Sequence, residues 1–313
     1  MYIGSVRFFK HLILLTITLL IIVPTVGFIY FAIQYNSLKV LGTAPALSGV
    51  PPMSQEVPNA VFASEEYPDD MSDADISNDS GVPDVPLDYQ LEYPQLYVEN
   101  DFQFITETEK TIYLTFDDGP SGLTPRVLDI LKDRGVHATF FVVYQDGEEA
   151  KALYKRIVDE GHTLAIHTAS HNYKKIYQSV ESYLDDFAVI SDMLEDVTGV
   201  KPEIFRFPGG SFNKYNMEIQ MALAAEMLRR GYVYYDWDVS AGSSTNTATR
   251  DTIYSHVVNG VSGKQRAIVL MHDAGTSATV AALPDIIDAL KASGYKFQVL
   301  NKSVKPACFD YHN

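Results

Sequence analysis

The chain opens with an unbroken apolar run and only later settles into alternation. Leu12 to Ile33 is 22 residues long and carries no charge. At about 1.5 Å per residue this is roughly 33 Å of helix, enough to cross a hydrocarbon core of about 30 Å. Arg7 and Lys10 precede it, so the positive-inside rule keeps residues 1–11 in the cytoplasm and exports everything after the span. A cleaved signal peptide has a shorter apolar region and a small-residue cut site. Thr43-Ala44-Pro45-Ala46 offers such a site, but the length of the run favours a retained single-pass anchor in the cell membrane, with the remainder extracellular.

From Lys110 short apolar runs alternate with amphipathic stretches. The pattern predicts strands at 111–117, 138–144, 163–168, 203–206, 232–236, 267–271 and 296–299. Helices are predicted near 123–134, 148–160, 179–198, 216–230, 248–262 and 280–293. Strands interleaved with helices indicate an α/β fold with a parallel sheet, whose loops at the strand ends collect the chemistry.

Charge separates these two regions. Of the 40 acidic and 24 basic residues, Val40 to Glu109 holds 15 acids and no Lys or Arg. With three bases before it, the segments carry +3, −15 and, for 110–313, −4, which sum to the net −16. The middle stretch is rich in Pro, Ser, Asp and Asn and has no sustained apolar period, so 34–105 reads as an acidic, disordered linker extended by self-repulsion. The folded domain is then 106–303, followed by a short tail, 304–313. Nothing resembles a nucleic-acid surface. Cys308 is the only cysteine, which excludes an intrachain disulfide and reads as a spare thiol.

Four polar clusters close predicted strands. Asp117 and Asp118 end the first, in Thr115-Phe116-Asp117-Asp118-Gly119-Pro120. Alternation lets one bind a metal while the other faces a substrate, although a surface turn closed by Gly-Pro explains the pair as well. His167 and His171 follow the third strand at a four-residue spacing that can converge on one metal. Two histidines with one carboxylate make an open site suited to hydrolysis, whereas two satisfied surface histidines would look the same in sequence. His162, at the other end of that strand, reads as structural. Arg206 opens Arg206-Phe207-Pro208-Gly209-Gly210, where it could fix a carboxylate or belong to a buried turn. His272 follows Ile268-Val269-Leu270-Met271. Four such clusters at the same ends of the strands of one domain point jointly to an active site.

TFDDGP (115–120), HTASH (167–171), RFPGG (206–210) and LMH (270–272), in this order, resemble the motifs of the polysaccharide deacetylases, carbohydrate esterase family 4 with its NodB-like domain. The resemblance spans roughly 106–303. It implies a distorted (β/α) barrel of about seven strands and a catalytic domain that removes N-acetyl groups from a glycan. It also implies that Asp117 is the general base, and that Asp118, His167 and His171 bind a divalent metal, usually zinc. Arg206 would orient the base, Gly209 N–H would hold the oxyanion, His272 would be the general acid, and Leu270 would line the acetyl pocket. The fourth motif departs from the family pattern. Trp237-Asp238-Val239-Ser240-Ala241-Gly242-Ser243 has serines where two acidic residues are common, and Asp236 or Asp238 is the candidate replacement beside His272. Anchor and spacer point to peptidoglycan N-acetylglucosamine as the substrate of a monomeric enzyme. Chitooligosaccharide, acetylated xylan, or a non-catalytic glycan-binding role on the same fold are the alternatives.

Overall fold

The computed structural model describes residues 86–242 and 248–309. The expected anchor at 12–33 and most of the expected linker lie outside the described residues. Among the described residues no helix is long and apolar enough to cross a membrane.

Eight strands pair in parallel: β1 (Thr111–Asp117), β2 (Thr139–Val143), β3 (Thr163–Thr168), β4 (Ile204–Phe205), β5 (Val233–Tyr234), β6 (Val239–Ser240), β7 (Arg266–His272) and β8 (Lys296–Gln298). Seven of them run in the order β5-β4-β3-β2-β1-β7-β6 and curl into a half-barrel, while β8 pairs with β1 off that path. The expected barrel of about seven strands is thus a curled, open one. The strand that the pattern does not predict is the two-residue β6, which joins the path, while the predicted stretch 296–299 forms β8 off it.

All seven residues of β1 are buried, and β2 is buried throughout. Strands covered on both faces read as continuous apolar runs, which is why they were legible as strands. β1 is the keystone of the sheet. Along one edge it pairs with β7 from Thr111 to Asp117, and along the other with β8 at Thr111–Tyr113 and then β2 at Thr115–Asp117. This register sets Asp117 between Phe141 and His272. The longest helix among the described residues, Val180–Thr198, starts at Ser179, whose hydroxyl accepts from Ser182 N–H, and stops at Gly199 in the left-handed region. Both ends follow standard capping chemistry.

Two expectations are corrected. Residues 86–105, assigned to the linker, pack on the domain. Leu96 is fully buried, and the buried Arg230 donates to the carbonyls of Tyr89, Glu92 and Tyr93 at 2.8, 3.0 and 2.9 Å. Val98 N–H returns a bond to Arg230 O at 2.8 Å. Composition alone suggests a solvated spacer, but a distant arginine satisfies this backbone. Residues 304–309 of the tail are also folded in. Val304 is buried and bridges Ile105, and Ala307 O accepts from Asp236 N–H at 2.8 Å.

Candidate active site

The residues singled out at the strand ends meet in one place. Asp117 closes β1 with only 3% of its surface exposed, and its Oδ1 accepts from Arg206 Nη1 at 2.7 Å. Arg206, fully buried, spends its remaining donors on Thr115 Oγ1 (2.8 Å), Tyr235 O (2.7 Å) and Asp236 O (3.0 Å). Its guanidinium lies 4.2 Å from the Phe141 ring centroid. Held at five points, it can orient Asp117 and do little else. Burial raises the Asp117 carboxyl above its usual range, opposed chiefly by Arg206. A carboxylate so placed is a stronger base than a solvated one.

Asp118 departs from the alternation expected of it. It lies past the strand end at φ 73°, in the left-handed region that Asp tolerates, and His171 sits at φ 49°. These turns bring Asp118 Oδ1 within 3.3 Å of His171 Nε2 and 3.6 Å of His167 Nε2. The three donors lie within 4.8 Å of one another and could hold a metal ion. Donors at about 2.1 Å from a tetrahedral ion are roughly 3.4 Å apart, so the observed spacings fit. The ligand chemistry fits as well. His167 Nδ1 is 2.8 Å from Arg206 O, which directs Nε2 at Asp118, and burial lowers its pKa to about 3, keeping the ring neutral. Strain of this kind, at two of the three ligand positions, is typical of functional sites.

His272, at the end of β7, places Nε2 4.0 Å from Asp118 Oδ2. Leu270 lies two residues earlier on the same strand face, 5% exposed and in register with Thr115. Gly209 sits at φ 76°, and a Cβ there would come 2.8 Å from Tyr173 Cε1, so only glycine fits. His162 is structural as expected, accepting from Ala138 N–H at 3.1 Å.

Neither proposed replacement for the fourth-motif acid serves His272. The Asp236 carboxylate accepts from Ser211 N–H and Phe309 N–H, both at 2.8 Å, and that of Asp238 accepts from Ile268 N–H at 2.8 Å. Asp236 instead ties the Arg206–Gly210 loop to the C-terminal segment, where Phe309 packs against Gly210 and stands edge-on to Trp237 at 4.8 Å. Sequence reading missed this tie, because Phe309 lies some seventy positions away from Asp236. It also missed Asp273, fully buried under Gly119 with Oδ2 bonded to Thr124 Oγ1 and Oδ1 without a partner. Burial raises its pKa to about 7.

A sequence profile for polysaccharide deacetylases matches residues 105–228. The Bacillus subtilis protein YheN is 38% identical over 209 residues, which cover 63% of this chain and 70% of YheN. The chain belongs to the polysaccharide deacetylase family. A peptidoglycan-N-acetylglucosamine deacetylase of Bacillus cereus is 30% identical over 204 residues, 64% of this chain and 72% of that protein. The crystal structure of the catalytic domain of a peptidoglycan N-acetylglucosamine deacetylase from Eubacterium rectale superposes with a TM-score of 0.64 at 34% identity, covering 67% of this chain and 97% of that one. The chain is accordingly a hydrolase of amide C–N bonds, and the reading as a non-catalytic glycan-binding domain loses its ground.

Proposed function

We propose that this chain removes N-acetyl groups from N-acetylglucosamine in peptidoglycan, releasing acetate, with a divalent ion, zinc, held by Asp118, His167 and His171. The observation that carries this reading is the convergence of Asp117, Asp118, His167, His171, Arg206 and His272 at the ends of β1, β3, β4 and β7. Substrate choice is supported by the relatives named for peptidoglycan and by the sequence-level case for an anchored, exported enzyme. In that arrangement residues 12–33 span the cell membrane and the domain works outside it as a monomer.

Each residue has a task in amide hydrolysis. A bound divalent ion supplies Lewis acidity and lowers the pKa of water toward about 7. Asp117, oriented by Arg206, takes a proton from the attacking water. Gly209 N–H faces the oxyanion that forms as the carbonyl carbon becomes tetrahedral, a contribution of about 3 kcal/mol per donor. His272 hands a proton to the departing amine. Leu270 provides an apolar wall for the acetyl methyl group.

Acetate release by the detergent-solubilised full chain, compared across peptidoglycan, chitooligosaccharide and acetylated xylan, tests the substrate. Peptidoglycan should be turned over with the highest kcat/KM, and a higher value on xylan sinks the assignment. Protease added to intact, wall-stripped cells should clip the acidic stretch and release a fragment of the size of the folded domain. Protection until lysis would reverse the topology.

A further inference from the structure

Beside the Asp118–His167–His171 cluster runs a cleft lined by His171, Asn172, Tyr173, Lys174, Lys214 and Tyr215. The hydrolytic machinery uses only His171 from this set, which leaves two tyrosines and two lysines without a task. Their order is informative. The Tyr173 ring stands edge-on to His171 with centroids 5.3 Å apart, and Tyr215 stands edge-on to Tyr173 at 5.2 Å. The aromatic surface therefore begins at the ligand histidine and extends outward by about the width of one sugar ring. Tyr215 is 41% exposed, large for an aromatic side chain in a domain whose other rings mostly pack inward. The Lys214 ammonium lies 5.0 Å over the Tyr215 ring, a cation–π contact that keeps the charge at the cleft wall, and Lys174 is exposed on the opposite segment.

We propose that Tyr173, Tyr215, Lys174 and Lys214 form a subsite for the sugar next to the one being deacetylated, and that this neighbour carries a negatively charged substituent. Tyrosine faces suit the apolar face of a pyranose ring, and a tyrosine offers large contact area at low entropic loss. Two ammonium groups in one cleft of a region, 110–313, with net charge −4 are a local reversal of sign, which favours an anionic group and disfavours a neutral homopolymer. In a glycan of alternating units, the neighbour of N-acetylglucosamine in peptidoglycan is the muramoyl unit, whose lactyl carboxylate or attached peptide carboxylates supply that charge. The subsite rests on the deacetylase reading above and narrows it to acidic glycans.

The test compares three probes: N-acetylglucosamine tetramer, a muramoyl-containing glycan stripped of peptide, and the same glycan with peptides attached. Acetate release is measured for the full chain and for K174E/K214E, at low and at moderate salt. The ratio of kcat/KM on at least one of the two muramoyl glycans to that on the tetramer should fall at least tenfold in the variant, mostly through KM, and added salt should shrink the wild-type ratio. A drop confined to the peptide-bearing glycan assigns the charge to the peptide carboxylates, a drop confined to the stripped glycan assigns it to the lactyl carboxylate that an attached peptide would consume, and a drop on both means that the subsite takes either carboxylate. Tyr215→Ala should raise KM on all three probes. An unchanged ratio in K174E/K214E, with the wild type active, overturns the subsite while leaving the deacetylase reading intact. A wild type that releases no acetate from any of the three overturns both.

Discussion

Replacing Arg206 is the sharpest perturbation of the site's electrostatics. Arg206→Met removes the 2.7 Å ion pair with Asp117 and the donors to Thr115 Oγ1, Tyr235 O and Asp236 O in one step. In the metal-free protein Asp117 would then be a carboxylate with 3% exposure and no ion-pair partner. Breaking a buried pair by removing one partner costs about 3–5 kcal/mol, and orphaned buried carbonyls add about 1–3 kcal/mol each, though not additively. A loss of roughly 4–6 kcal/mol is therefore expected at neutral pH, a large part of the 5–15 kcal/mol that holds a typical domain. Urea unfolding at pH 7 reads it directly. Without Arg206 the Asp117 carboxyl rises further, so the penalty should shrink as pH falls and the carboxyl takes up a proton. Arg206→Met combined with Asp117→Leu serves as the control against loss of folding in the single variant. The pair of replacements leaves no unpaired buried charge, so it should regain a large part of the lost stability while staying inactive. An Arg206→Met protein within 1 kcal/mol of wild type, or a double variant no more stable than the single one, would refute this account of the ion pair.

Three further outcomes are expected. Asp117→Asn should keep bound metal and lose roughly 10²–10⁴-fold in kcat, whereas Asp118→Asn should lose metal, with excess ion restoring part of the activity; elemental analysis showing the reverse pattern would exchange their roles. Phe309→Ala, which keeps the backbone bond to Asp236 and removes the ring from Gly210, should leave the melting temperature nearly unchanged yet lower kcat roughly ten- to a hundredfold, through slack in the Arg206–Gly210 loop, with Phe309→Tyr retaining activity; equal kcat in the alanine variant would show that the ring does not steady the loop. Asp273 has a folded-state pKa of about 7 against an ordinary 3.8, so its contribution to stability is full below about pH 4 and lost as pH rises through 7. That corresponds to at most about 4 kcal/mol, and Asp273→Asn should flatten the fall in stability between pH 4 and 7 in metal-free buffer; an unaltered slope would place the titration elsewhere.

Much of this architecture was legible because the strands that build the site are buried on both faces. Continuous runs such as Thr111–Phe116 and Ala267–Met271 announce themselves, and the polar residues that end them stand out by contrast. The two-residue strand Val239–Ser240 has no period to detect and one exposed residue, so nothing in the sequence marks it. Strand alternation, on which the expected division between Asp117 and Asp118 rests, does not extend to Asp118, which turns through a positive φ beyond the strand. Residues 86–105 have a linker's composition, and their order comes from Arg230, a contact spanning more than 130 positions. The same limit hid the Asp236–Phe309 tie, and it hid the contact of Tyr173, at the start of the short helix Tyr173–Ile176, with the distant Tyr215.

Deacetylation should depend on an ion held by the Asp118–His167–His171 cluster. That dependence is tested most directly by acetate release from peptidoglycan before chelation, after chelation, and after stoichiometric zinc is returned, alongside His167→Ala. Activity should vanish on chelation and return with about one ion per chain, and His167→Ala should neither retain the ion nor recover. Full activity in the chelated protein, or zinc-restored activity in His167→Ala equal to wild type, would contradict the account.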